Sequence, residues 1–163
     1  MRLQDRQIVD QGLIDSILKD SHVLHLALND GDFPYVVPTN YGYKLNEDGK
    51  LSVFFHGAPQ GKKFDLLKVN DKVAFEIDDG GALMPSTSSE ASDNSYWYRS
   101  IIGHGQAVQL VTRDEKMMAL QTLLVHETGH EWSQIDRQTL DFVSVFRIVV
   151  ENYTAKGHIE PKL

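Results

Sequence analysis

A strand-like run ending at His56 leads through a glycine-bounded loop, Gly57 to Gly61, into a short helical stretch whose first turn carries Lys62 and Lys63. Free amide N–H groups at a helix start, together with a lysine ammonium, form a seat for a phosphate dianion. A cation at a helix N-terminus opposes the helix dipole, so two lysines there suggest a compensating anion; the plain alternative is that both are solvated. His56 adds an imidazole that, when neutral, donates a hydrogen bond or shuttles a proton at physiological pH. Two other stretches offer ligand-binding groups. In PYVVPTNYGY, Thr39 and Asn40 follow Pro38, which interrupts a β-ladder and frees nearby backbone groups. In YWYRSIIGHG, Arg99 and Ser100 stand beside a strand kinked at Gly103 and Gly105. Each alone is more often plain barrel packing.

A rival motif is literal. His126-Glu127-Thr128-Gly129-His130 matches HExxH, in which two histidines one helical turn apart grip zinc and the glutamate acts as general base. Gly129 and the polar Glu131-Trp132-Ser133 mark the end of a helix, whereas the motif needs a continuous one. No third histidine follows at metzincin spacing, and Glu151, a conceivable distal ligand, falls in a strand pattern. A zinc metalloprotease is therefore the remote alternative, and no metal centre is expected. Among the other histidines, His25 on an apolar strand reads as a core residue. His104 reads as cleft-lining or solvent-facing, and His22 and His158 as exposed.

The elements that position these residues follow from periodicity. Residues 1–20 read as one amphipathic helix. Strands are expected at Val23–Leu28, Tyr35–Tyr43, Leu51–His56, Lys72–Ile77, Tyr96–Val111 and Phe142–Val150. Turns fall at Asn29–Asp32 and Asn46–Gly49, and Pro38 points to a bulge or a sheet edge. Helices are expected at Lys62–Lys68 and Asp114–His126, the latter opened by a capping box of Thr112 and Glu115. The polar stretch 78–95 reads as a flexible loop or lid. About six strands without regular β–α alternation argue for a mainly β fold: a closed or partly closed antiparallel barrel with peripheral helices, in one domain over residues 1–163.

Composition narrows the function. The chain has 163 residues, a formal charge of −7 and no cysteine, which rules out disulfides, thiolate chemistry and cysteine-held metals. The acidic balance disfavours nucleic acid and anionic membrane, so neither is an expected partner. The charged N-terminal stretch reads as neither signal peptide nor membrane span, which makes the cytoplasm the default location. Phe54, Phe55, Tyr96, Trp97 and Tyr98 are candidates for an apolar face that seeks a second copy.

The ordered set PYVVPTNYGY, FFHGAPQGKKFDLL, VAFEID, YRSIIGHGQA and YTAKG, from about Arg6 to Gly157, resembles the pyridoxamine 5′-phosphate oxidase-like flavin proteins. Within them it is most similar to the nitroimidazole-resistance branch. The resemblance implies a six-stranded antiparallel split β-barrel that forms a homodimer, with FMN held where the subunits meet. It implies that Lys63, with Lys62 as auxiliary, binds the FMN phosphate and that Ser100 lies near the phosphate or ribityl chain. It places Pro38, Thr39 and Asn40 along the flavin ring, His56 and Gly57 near ring or phosphate, and Trp132 at the partner's flavin. His56 is the candidate catalytic residue. The long acidic stretch 78–95 departs from the relatives and concerns the substrate entrance. The activity expected is an FMN-dependent oxidoreductase that passes electrons from a donor such as NAD(P)H to a small, nitroaromatic-type acceptor. The alternative is a flavin- or haem-binding module without turnover. The pyridoxamine phosphate oxidase reaction itself is disfavoured, because beyond Lys156 the C-terminal segment carries only Lys162 to hold a second phosphate.

Overall fold

The computed structural model describes residues 4–132 and 134–158; Ser133 and Lys162 lie outside them. The first twenty residues do not form one helix. Gln7–Ile8 form a short strand, β1, paired with Ala155 and Lys156, and helix α1 spans Gln11–Asp20. The helix starts late because the Asp10 carboxylate accepts the Leu13 N–H at 2.8 Å, fixing the N-cap there. Strands β2 (Leu24–Asp30) and β3 (Phe33–Thr39) follow as a hairpin, then β4 (Gly42–Leu45) and β5 (Leu51–Gly57) as another. Helix α2 (Lys62–Val69) leads into β6 (Lys72–Asp78). Within 78–95 a three-residue strand, β7 (Ala82–Met84), pairs with the start of β8 (Ser95–Leu110). Helix α3 (Arg113–Thr128), helix α4 (Arg137–Phe142) and β9 (Ser144–His158) complete the described chain.

The main sheet is antiparallel, in the order β3-β2-β6-β8-β9-β5-β4. Strands β3 and β4 are its two ends, yet only Asn40 and Tyr41 join them. Two residues reach no further than roughly 10 Å, so the sheet must curl until its edges stand side by side. The result is a barrel split between β3 and β4. Nine strands form among the described residues where about six are expected; the additional ones, β1, β4 and β7, have at most four residues each. Pro38 sits on the edge strand β3, where a missing N–H is tolerated. The ladder of β8 and β9 shifts register between His104 and Gly105, the site of the expected kink.

Two cores explain the apolar run before His56. Phe55 faces the barrel interior with Leu24, Phe75, Ile77 and Phe146, whereas Phe54 faces a second cluster with Leu110, Leu120, Leu140 and Val145 under α3 and α4. Strand β5 is thus buried on both faces. Phe54 and Phe55 are 2% and 0% exposed, so they cannot belong to an apolar outer face. Large apolar groups that do face outward include Val36, Tyr96 and Ile102.

Gly42 sets the closeness of α3 to β4. A Cβ there would lie 2.6 Å from the backbone nitrogen of Leu123 and 2.7 Å from its Cα. Gly42→Ala is therefore expected to force α3 outward and lower stability by about 1–3 kcal/mol. The midpoint of urea unfolding checks this.

Candidate functional site

The turn from β5 into α2 gathers four of the expected site residues. Gly61, at the N-cap of α2, has φ of 110°, a left-handed conformation that favours glycine. No side chain caps the helix, so its first-turn N–H groups lack an intrahelical or side-chain acceptor, the arrangement that can seat an anion. Lys63 folds back along the end of β5: its Nζ donates to the His56 carbonyl at 3.2 Å and lies 5.4 Å from the centroid of the Phe55 ring. A Cβ on Gly57 would come 3.0 Å from that Nζ, so the glycine leaves the space Lys63 occupies. Burial holds the Lys63 ammonium below the usual lysine range. Lys62 is more exposed; its ammonium pairs with Asp30 and lies 5.0 Å from the ring centroid of Tyr35.

The Nδ1 of His56 is buried and has no hydrogen-bond partner. Burial, and secondarily the Lys63 charge, hold this imidazole below its ordinary pKa of 6.5. The folded protein therefore binds the proton less readily than the unfolded chain. The stability linked to His56 is present above that ordinary value and declines as pH falls through it toward the folded value. Urea midpoints measured between about pH 8 and about pH 5.5 are expected to fall less steeply in His56→Gln than in the parent.

Pro38, Thr39 and Asn40 lie at the split. Asn40 Nδ2 donates to the His22 carbonyl and Thr39 Oγ1 to the Asn40 carbonyl, both at 3.2 Å. Lys62 meets the same strand at Tyr35, four residues from Thr39, or roughly 13 Å along a strand. The structure thus brings His56, Gly57, Lys62 and Lys63 to one end of a strand and Pro38 to Asn40 to the other. Ser100 is not beside them in the protomer. It pairs with Asp78 and Lys156, nine residues along β8 from Gln109, the partner of Phe146. That is a contour of about 30 Å. Trp132 follows α3, with its Nε1 donating to Thr128 Oγ1 at 3.1 Å. It borders a separate cavity of about 1320 Å³ between α1, β4 and α3, shared with Tyr43 and His126. Arg99 is a tie and not a ligand group: it donates to Asp79, to Asp20 and to Ser16 Oγ, fastening α1 to β8. Asp30 and Tyr35 border the site with no sequence signal that points to it. Asp30 carried only the signature of a turn.

A family model described as pyridoxamine 5′-phosphate oxidase matches residues 10–157. The chain belongs to this family. No curated protein matches it. Among solved structures, one from Bacteroides thetaiotaomicron, provisionally described as a 5-nitroimidazole antibiotic resistance protein, is 26% identical. It superposes with a TM-score of 0.77, covering 93% of this chain and 86% of that one. The flavocytochrome Anf3 from Azotobacter vinelandii is 19% identical, with a TM-score of 0.80 over 100% and 74% of the two chains. An FAD and haem binding protein from Mycobacterium smegmatis is 18% identical, with a TM-score of 0.79 over 97% and 77%. These last two share the fold.

Family membership leaves HExxH to be judged on geometry. Helix α3 ends at Thr128, and Gly129 turns the chain away with φ of 69°. His130 therefore lies past the helix and shares no face with His126. His126 Nδ1 is 2.7 Å from the Tyr41 carbonyl and its side chain is 5% exposed. Glu127 sits 3.4 Å from His22 Nδ1, and Glu151 is exposed on β9. The motif is a packing element of α3. Two other histidines differ from expectation. His25 projects from the outer face of β2 toward Glu76, because its alternate neighbours Leu24 and Leu26 take the inner face. His158 is half-buried against Trp97 at 4.8 Å, while His104 and His22 are exposed.

The lysine turn fits a flavin nucleotide. Uncapped N–H groups and Lys63 suit a phosphate, the orphaned His56 Nδ1 suits a polar ligand atom, and the Gly57 cradle admits close approach. Among the described residues no helix is long and apolar enough to cross a membrane.

Proposed function

We propose that this protein is a cytoplasmic, homodimeric FMN-dependent oxidoreductase that passes electrons from a donor such as NAD(P)H to a small, nitroaromatic-type acceptor. The lysine turn carries this reading: an uncapped helix start, a half-buried Lys63 and an unpartnered His56 Nδ1 converge within one short segment. Lys63 holds the phosphate, and Lys62 adds charge at its rim. Pro38, Thr39 and Asn40, at the far end of β3, line the ring through backbone groups. A homodimer accommodates the remaining assignments, since a second protomer would bring Ser100 and Trp132 to a flavin phosphate held at the lysine turn. The outward Val36 and Ile102 give such a contact apolar surface.

FMN, when bound, supplies the hydride and single-electron chemistry. The chain's own residues bind, orient and shield. His56, kept neutral by burial, holds or moves a proton at Nδ1. Bleaching of the flavin's visible band by NADPH under anaerobic conditions, with recovery on adding a nitroaromatic, is the expected result. The similar FAD and haem binding protein from Mycobacterium smegmatis supports the second reading, a flavin- or haem-binding module without turnover. That reading gains if the purified protein takes up haem in place of FMN, or if no donor bleaches the flavin.

A further inference from the structure

On the outer face of the sheet, away from the lysine turn, His25 and Glu76 are direct cross-strand partners on β2 and β6. Asp78 lies two residues beyond Glu76, so strand alternation sends its side chain to the same face. One ligand atom from each of the three lies within 4.8 Å of the others. The two carboxylates are short of positive charge. Among the described residues, no lysine or arginine forms an ion pair with either; His25 Nδ1 lies 3.0 Å from Glu76, and Asp78 Oδ1 accepts the Gly80 N–H at 2.7 Å. Lys156, in the same cross-strand row beyond Ser100, has its ammonium 5.7 Å from the Tyr98 ring centroid.

We propose that His25, Glu76 and Asp78 form a binding site for a divalent first-row transition ion, taking one imidazole nitrogen and two carboxylate oxygens as ligands. Imidazole with carboxylate suits Zn²⁺ and its neighbours in the series over Ca²⁺ or Mg²⁺, which prefer all-oxygen shells. Three protein ligands leave coordination positions for water or a further group. The side chains are half-buried or exposed, and the strand register fixes their Cα positions. This inference does not rest on the flavin assignment.

Titration of the purified protein with Zn²⁺ by calorimetry tests it, alongside the visible spectrum of added Co²⁺. The expected result is one ion per protomer, with affinity weakened tenfold or more in His25→Ala and in the exposed variant Asp78→Asn, and weaker binding at lower pH. His130→Ala is expected to bind as the parent does. Absence of saturable binding, or binding by His25→Ala and Asp78→Asn as tight as the parent's, overturns the proposal. Unchanged far-ultraviolet dichroism of Asp78→Asn establishes that a lost site is not a lost fold.

Discussion

Lys63→Ala is expected to weaken FMN binding by roughly 1.5–3 kcal/mol, about 10- to 150-fold in Kd, the range for one charge-assisted hydrogen bond. The reason is positional. Lys63 Nζ is held over Phe55 and against the His56 carbonyl, and burial already disfavours its charge. A phosphate dianion arriving at the uncapped start of α2 replaces the lost hydration of that ammonium. Lys62→Ala is expected to cost less, since Lys62 is exposed and already paired with Asp30. Fluorescence titration of flavin-stripped protein gives both values. Equal affinity in Lys63→Ala and the parent removes this lysine from the site.

Phe55→Ala is expected to have the largest effect on stability, about 3–5 kcal/mol. The ring is fully buried in the barrel core and stacks on Phe146 with centroids 5.2 Å apart. Its loss also removes the surface beneath Lys63. Urea unfolding should show the midpoint falling strongly, and the folded fraction should bind FMN less tightly than the parent. A loss below about 1 kcal/mol would mean that the pocket around Phe55 collapses without cost, contrary to close packing against Phe75 and Phe146.

What the residue pattern revealed was local. The Thr112 and Glu115 capping box opens α3, the αL Gly129 closes it, and Pro38 marks an edge strand. Each depends on a handful of neighbouring residues. The lysine turn was legible for the same reason: His56, Gly57, Gly61, Lys62 and Lys63 lie within eight positions of one another. Features set by distant partners were not legible. Ile8 leaves the helical pattern because β9 offers it a ladder position opposite Ala155. His25 looked like a core residue until pairing with Glu76 fixed which face it takes. Phe54 and Phe55 looked available for an interface, but α3 and α4 supply a second core on the far side of β5. The separation of Ser100 from Lys63 follows from the long β8, and no spacing rule conveys it.

A crystal structure of the FMN-loaded protein tests the flavin assignment most directly. The expected picture has phosphate oxygens within hydrogen-bond distance of Lys63 Nζ and the first N–H groups of α2, with Ser100 or Trp132 of a second protomer against the same flavin. A flavin seated in the cavity between α1, β4 and α3, or a monomer whose lysine turn touches no ligand, would contradict it.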